Sequence, residues 1–268
     1  MGLPRSLLLA ELALLAAAPA RAQEEPPDFP RTYTYDTPLA GWAEVTLWNT
    51  GVVDSSQPDT EFGRTTSRQG RVAHSIEGEY GVTDRLTMGG YLDFDDARDR
   101  SFRFTEGKLE ARYRFSNRQD LFVNPGLYVE YYLPRKGFGD QELETRLILD
   151  KDLNDFRIAA NPRLSFTTTG PEAGATPSVG LDLGLYYRRH VGLQPGLEYH
   201  GDFGRAGDWT GQHHYLEPTM DIALGKQLIW HLGAGAGLGG KADGLIAQSV
   251  LTVELDVLRP SRLFGHER

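Results

Sequence analysis

The stretch GAGAGLGGKA, residues 233 to 242, carries the residue types that cradle a phosphate. Gly235, Gly237 and Gly240 satisfy G-x-G-x-x-G, and Gly235 through Lys241 satisfies G-x-x-x-x-G-K. Both motifs need a helix to start at the glycines, so that its free N–H groups face the phosphate. Here Asp243-Gly244 signals a turn, an alternating segment follows, and Ala242 stands where a P-loop needs Ser or Thr. Glycine at every second position, 233, 235, 237 and 239, fits a strand instead, with all four on one face leaving room for bulky neighbours. No nucleotide site is expected, and no cofactor.

Histidines 74, 190, 200, 213, 214, 231 and 266 show no HExxH-type spacing, so no metal centre is expected. His213-His214 sits near His200 on the preceding segment, but adjacent residues of a strand face opposite ways. The same geometry breaks His74-Ser75 as a dyad, and no G-x-S-x-G is present. With no cysteine in the chain, thiolate zinc sites, disulfides and cysteine nucleophiles are excluded. No catalytic residue is assigned, and the chain is not expected to be an enzyme.

The abundant chemistry is ionic. Glu77, Glu79, Lys108, Glu110, Arg112, Arg114, Glu130, Glu144, Arg146, Arg163, Asp182, Arg188 and Glu217 fall at alternate positions opposite apolar residues. Leu109, Ala111, Tyr113 and Phe115 point one way while Lys108, Glu110, Arg112 and Arg114 point the other. Such charges need water or one another, because an isolated buried ion costs several kcal/mol. They are the candidates for a charged lumen, either as a filter for solutes or as a mutually satisfied Arg–Glu scaffold. A net charge of -9 argues against nucleic acid as a partner.

The elements that must position these residues follow from the two-residue rhythm. Twelve segments carry it: about 41–53, 72–83, 85–96, 101–117, 121–135, 140–154, 155–169, 177–191, 193–203, 212–225, 227–240 and 244–258. Most reach ten residues or more, against the usual five or six of a soluble strand. Tight connections such as Thr83-Asp84 and Asn154-Asp155 alternate with longer ones such as DSSQPDTEFGRTTSRQG and GRAGDWTG. Short turns at one end and long loops at the other, with an even strand number, predict a single antiparallel transmembrane β-barrel of about 12 strands.

A soluble barrel shows the same alternation turned inside out. Twelve strands enclose too wide a space for one layer of Leu and Val to fill, which favours the apolar face outside. Strands of this length, tilted, also match the apolar band of a bilayer, and Tyr80, Tyr131, Phe166, Tyr187 and Trp230 lie where interfacial girdles sit. On this reading Ile76, Gly78, Tyr80 and Val82 of one strand face lipid, with Leu86, Met88, Leu92 and Phe94 of the next.

Residues 1–22 read as a signal peptide, with Arg5, the apolar SLLLAELALLAAA and an Ala20-Arg21-Ala22 cleavage site. Four prolines make 23–40 an extended N-terminal periplasmic segment, the barrel occupies 41–258, and 259–268 is a C-terminal tail. The expected location is the cell outer membrane. Expected partners are outer-membrane lipid, an unspecified small-molecule solute and, during biogenesis, the barrel-assembly machinery.

TPLAGWAEVTLWNT (37–50), EGEYGVTDRLTMGGYL (77–92), GKLEARYRF (107–115) and ELETRLILDKDLNDFRIAANPRL (142–164) resemble uncharacterised proteobacterial outer-membrane proteins labelled as transporters. These are similar to the family named after the meta-pathway of phenol degradation. The resemblance implies a β-barrel and passage of small molecules, and brings no catalytic residues. One departure is that LTVELDVL (251–258) is followed by RPSRLFGHER, where many such barrels end on an aromatic residue. The expected function is a porin-like channel. The alternatives are a plugged barrel without transport, a lipid-modifying enzyme with a Ser–His pair on the lipid-facing side, and a soluble periplasmic barrel.

Overall fold

Period-2 alternation puts two chemistries on the two faces of each strand, and a sheet that must separate them completely has to close. In the computed structural model, which describes residues 31–61, 64–96, 102–136, 139–190, 192–225 and 227–255, it does. The strands are β1 (Ala43–Asp54), β2 (Pro58–Glu61), β3 (Arg64–Ser67), β4 (Val72–Gly81), β5 (Leu86–Asp96), β6 (Arg103–Arg114) and β7 (Asn124–Pro134). They continue as β8 (Glu142–Leu153), β9 (Phe156–Thr167), β10 (Ser178–Tyr187), β11 (Leu193–Arg205), β12 (His213–Ala223), β13 (Leu228–Gly240) and β14 (Leu245–Leu255). Twelve of them form a closed antiparallel barrel in which each pairs with its sequence neighbours and β14 pairs with β1. The signal peptide expected at 1–22, residues 23–30 and the tail expected at 259–268 lie outside the described residues.

Strands β2 and β3 form a separate hairpin within the first long connection, Pro58 pairing with Ser67 and Glu61 with Arg64. The polar PDTE and RTTS carry no apolar alternation, so this hairpin leaves no period-2 signature. At the opposite end of the barrel the turns are tight, two to five residues, except between β6 and β7. There Asn117-Arg118-Gln119 predicts a tight turn, but the strands stop short of it and leave the nine residues 115–123. Asn154 adopts a positive φ of 53° in the turn from β8 to β9, a conformation that asparagine tolerates better than most residues.

The faces are the reverse of a water-soluble barrel. Leu109 is 60% exposed on the outside, while its neighbour Glu110 is 4% exposed within. Ile76, Met88, Leu92, Leu147, Leu183 and Leu216 line the same outer surface. Inside, the cluster of buried apolar residues is small, Trp48, Tyr91 and Val250, and carboxylates and guanidiniums take most of the remaining space. Rings gather at the two ends of the outer wall. Phe94 stacks on Phe102 and meets Phe104 edge-on at the long-loop end, while Tyr113–Phe115 and Phe156–Tyr187 pair at the short-turn end.

Candidate functional site: the barrel lumen and its internal segment

The strands bring the inward charges into contact by placing them in register across neighbouring strands, where side chains of one face lie close enough to bond. Arg112 on β6 stands among Glu79, Glu77 and Glu110, its Nη2 at 3.0, 3.4 and 3.9 Å from their oxygens. Glu77 also accepts the Trp48 indole N–H at 2.7 Å and the Tyr91 hydroxyl at 2.6 Å. Lys108 pairs with Asp93 at 3.0 Å and Glu106 at 3.6 Å, with its ammonium 4.5 Å from the Tyr132 ring centre. Further round, Arg146 binds Glu144 and, at 3.0 Å, Asp182, while Arg163 reaches Glu144 and Asp202 at 3.4 Å each.

Glu77, Glu79 and Glu110 bring oxygens within 4.8 Å of one another, close enough to hold a metal ion. The Arg112 guanidinium already lies among them, so the cation at their centre belongs to the chain. A second cluster joins β10 to β13. His200 Nδ1 meets Asp182 at 3.2 Å, and its Nε2 lies 3.4 Å from Glu198 and 3.8 Å from Glu217. Glu217 is fully buried and neither of its oxygens has a hydrogen-bond partner. The glycines of β13 explain its seat: a Cβ on Gly233 would fall 1.7 Å from Glu217 Oε1, so only glycine leaves the carboxylate its place.

Glu130 is likewise buried. Arg188 lies at the short-turn rim, 2.7 Å from Asp152, and Arg114 reaches the Asp84 carbonyl at the same end. The lumen is thus a set of local ion clusters, with Arg114 and Arg188 at its edge.

The lumen is not filled by wall residues alone. Residues 31–37, RTYTYDT, run as an extended strip inside the barrel, bonded to inward side chains of β5, β7, β8, β9 and β11. The extended segment expected over 23–40 therefore enters the barrel in this part, where inward oxygens of the wall offer its N–H groups partners. Thr32 N donates to Glu198 Oε2 at 2.7 Å, Tyr33 N to Asn161 Oδ1 at 2.6 Å and Tyr35 N to Asp150 Oδ2 at 3.2 Å. Asn161 returns a bond from Nδ2 to the Tyr33 carbonyl at 3.0 Å.

Tyr33 is the centre of this strip. Its ring stacks on Tyr128 with centroids 4.7 Å apart, and the Arg112 and Arg146 guanidinium carbons lie 4.5 and 5.0 Å from its centre. Its hydroxyl lies 3.2 Å from that of Tyr91 and 3.4 Å from that of Tyr128. Nearer the short-turn mouth, Tyr35 is buried with its hydroxyl on the Ser116 carbonyl. Asp36 bridges Arg118 and Arg157, the latter at 2.5 Å. Burial alone would push the Asp36 carboxyl up, but Arg157 and Arg118 outweigh it and hold the group below the usual carboxylate range. The strip then meets the barrel edge, where Ala40 bridges to Gly81 and Gly41 N donates to the Gly81 carbonyl at 2.8 Å.

On the outer wall, His74 Nδ1 meets Asn49 Oδ1 at 2.7 Å and its ring lies 5.5 Å from Phe102. Ser75 points the other way and donates to Asp93 inside. No histidine–serine side-chain hydrogen bond occurs among the described residues.

A closed antiparallel barrel of twelve strands, polar within and apolar without, defines the class of transmembrane β-barrels. Solved structures of that class are similar to it. The COG4313 outer membrane channel from Pseudomonas putida F1 matches over 87% of this chain and 100% of its own, with a TM-score of 0.56 at 14% identity. The KdgM porin in complex with disordered oligogalacturonate matches over 79% of this chain and 97% of its own, with a TM-score of 0.52 at 10% identity. No family model and no curated protein matches the sequence.

Proposed function

We propose that the chain is an outer-membrane channel for small solutes, closed in this structure by its own residues 31–37. The supporting observation is the combination of a polar lumen with an occupant bonded to it mostly by single hydrogen bonds and rings, outside any strand ladder. The likeness in fold to a channel and a porin agrees with this reading, as do the apolar outer wall and the aromatic rings at both of its ends. The short-turn end, which carries the chain's entry into β1, is then periplasmic, and the signal peptide delivers the protein there. Outer-membrane lipid and the assembly machinery are its partners in this location, and no nucleic acid is. The YGVTDRL hairpin supports placing the chain with the family named after the meta-pathway of phenol degradation.

The test is single-channel current from refolded protein in a planar bilayer, with insertion confirmed separately. Discrete steps support a channel. Inserted protein that stays silent, even after residues 31–37 are loosened by substitution, overturns the proposal and leaves the plugged scaffold. A lipid-modifying enzyme has less to stand on, since the outward His74 faces Asn49 and Ser75 is turned inside.

A further inference from the structure

The strand register aligns six glutamates that the sequence scatters over 211 positions, from Glu44 to Glu254. Glu254 of β14 pairs with Glu44 of β1, and Glu44 pairs on its other side with Glu79 of β4. Glu79 faces Gly89 of β5, and Gly89 faces Glu110 of β6. Glu110 pairs with Glu130 of β7, which pairs with Glu144 of β8. The one gap is bridged, because Glu110 Oε1 lies 2.5 Å from where a Gly89 Cβ would stand.

Strands of a closed barrel tilt, so a line of register partners climbs as it goes round. Glu254 and Glu44 sit at the short-turn end, one residue from the ends of β14 and β1. Glu110 and Glu130 lie in mid-strand, and Glu144 is the third residue of β8, at the long-loop end. The row therefore runs from one mouth to the other.

Like charges directly opposite one another on a sheet repel, so such a row is costly unless cations compensate it. The chain supplies only part of that compensation. The next row on one side carries Arg112, Arg146 and Arg163. The row on the other side carries Lys108, itself paired with Asp93 and Glu106, so four cations stand beside six carboxylates. Two independent observations mark the shortfall. Arg112 is a single guanidinium shared by Glu77, Glu79 and Glu110, and the more than nine-tenths buried Glu110 keeps its Oε1 3.9 Å from it without a hydrogen-bond partner. At the foot of the row a cavity of about 200 Å³ opens between Glu44, Glu254, Trp42 and Thr37.

We propose that this row is a cation lane: once residues 31–37 withdraw, the lumen passes small cations, inorganic or amine-bearing, and rejects anions. Withdrawal leaves the balance of the wall untouched, since the strip takes with it one cation, Arg31, and one anion, Asp36. Charged pore linings select by excess of one sign over the permeating path, and here the excess is carboxylate. The proposal rests on the reading of the barrel as a channel.

The experiment is the reversal potential of the full chain in a planar bilayer under a potassium chloride gradient. The plug-loosened variant Tyr33→Ala is used as well if the native chain stays closed. The expected result is a potassium-over-chloride permeability ratio of about tenfold, falling to about twofold in Glu44→Gln/Glu254→Gln and in Glu110→Gln. Folding of each variant is checked by its heat-dependent shift on a denaturing gel. The half-exposed Glu44 and Glu254 carry the test should the buried variant not fold. Currents that are non-selective or anion-selective, or a ratio the substitutions leave unchanged, overturn the lane while leaving the channel. Silence from inserted native and Tyr33→Ala protein alike overturns the channel itself and the lane with it.

Discussion

Replacing Tyr33 with alanine removes the one side chain that ties the internal strip to both arginine clusters at once. Its losses can be itemised: a stacked pair with Tyr128 at 4.7 Å, two guanidiniums at 4.5 and 5.0 Å, and two hydroxyl contacts at 3.2 and 3.4 Å. A stacked aromatic pair contributes about 1 kcal/mol, and each shielded cation–π contact about the same. The sum, about 3 kcal/mol, agrees with the lower end of the cost of truncating a buried aromatic to alanine. At about 1.4 kcal/mol per tenfold, the ratio of open to closed barrels rises roughly a hundredfold. Tyr33→Phe keeps ring and stack and loses only the two hydroxyl contacts, so its effect is about threefold, as for a hydrogen bond of modest net strength. The assay is open probability in single-channel records, with protease cleavage at Arg31 as a second readout of release. Equal open probability in Tyr33→Ala and the native chain would refute the idea that this ring holds the lumen shut.

Asp36 offers a milder perturbation with a pH signature. Asp36→Asn leaves the neighbouring Arg118 and Arg157 without their bridge at a partly exposed mouth, which costs about 1 kcal/mol and raises opening about fivefold. Because the carboxyl is held below its ordinary value in the closed state, its contribution is complete above the released value, near 4, and disappears as pH falls through the lower closed-state value. Opening should thus be insensitive to Asp36 between about pH 6 and 8 and rise in acid; the Asp36→Asn chain should lack that component. Gly233→Ala should destabilise the barrel by about 1–3 kcal/mol, because its Cβ collides with the Glu217 carboxylate. Adding Glu217→Ala should return most of that loss, measured by thermal unfolding in detergent, and strict additivity of the two would show that the clash is not the cause.

The barrel was largely legible in the sequence, and the reason is local. A strand whose two faces meet different surroundings must alternate, and β8, ELETRLILDKDL, does so except at Ile148 on the inner face and Lys151 on the outer one. Turn chemistry marked the ends, so that the segment expected at 140–154 forms a strand over Glu142–Leu153, shorter by only a residue or two at each side. The β2–β3 hairpin escaped because neither arm has an apolar face. The internal strip escaped for a different reason: its partners are side chains 58 to 166 residues away, and nothing in RTYTYDT itself says which wall it meets. The glycines of β13 fall between these cases. Their period announced a strand with space on one side, but Glu217 as the occupant emerges only from the pairing of β12 with β13.

The difference between the strip and the strands is also the physical basis for treating the strip as the moving part. A strand of this barrel exchanges backbone hydrogen bonds with two neighbours, and in an apolar surrounding no other partner can replace them. Residues 32, 33 and 35 instead donate their N–H groups to side-chain oxygens of Glu198, Asn161 and Asp150. Water in a polar lumen can take over both halves of each such bond, so its release costs about the net worth of a hydrogen bond, near 1 kcal/mol, and not the several kcal/mol of an unsatisfied group. What then keeps the strip in place is its rings and its one carboxylate: Tyr33 between two arginines, Tyr35 in its pocket and Asp36 at the mouth. These contacts act one by one, unlike a ladder that must open along its length, so in the channel proposed above a sequence change at any of them tunes how often the lumen opens without touching the barrel that surrounds it.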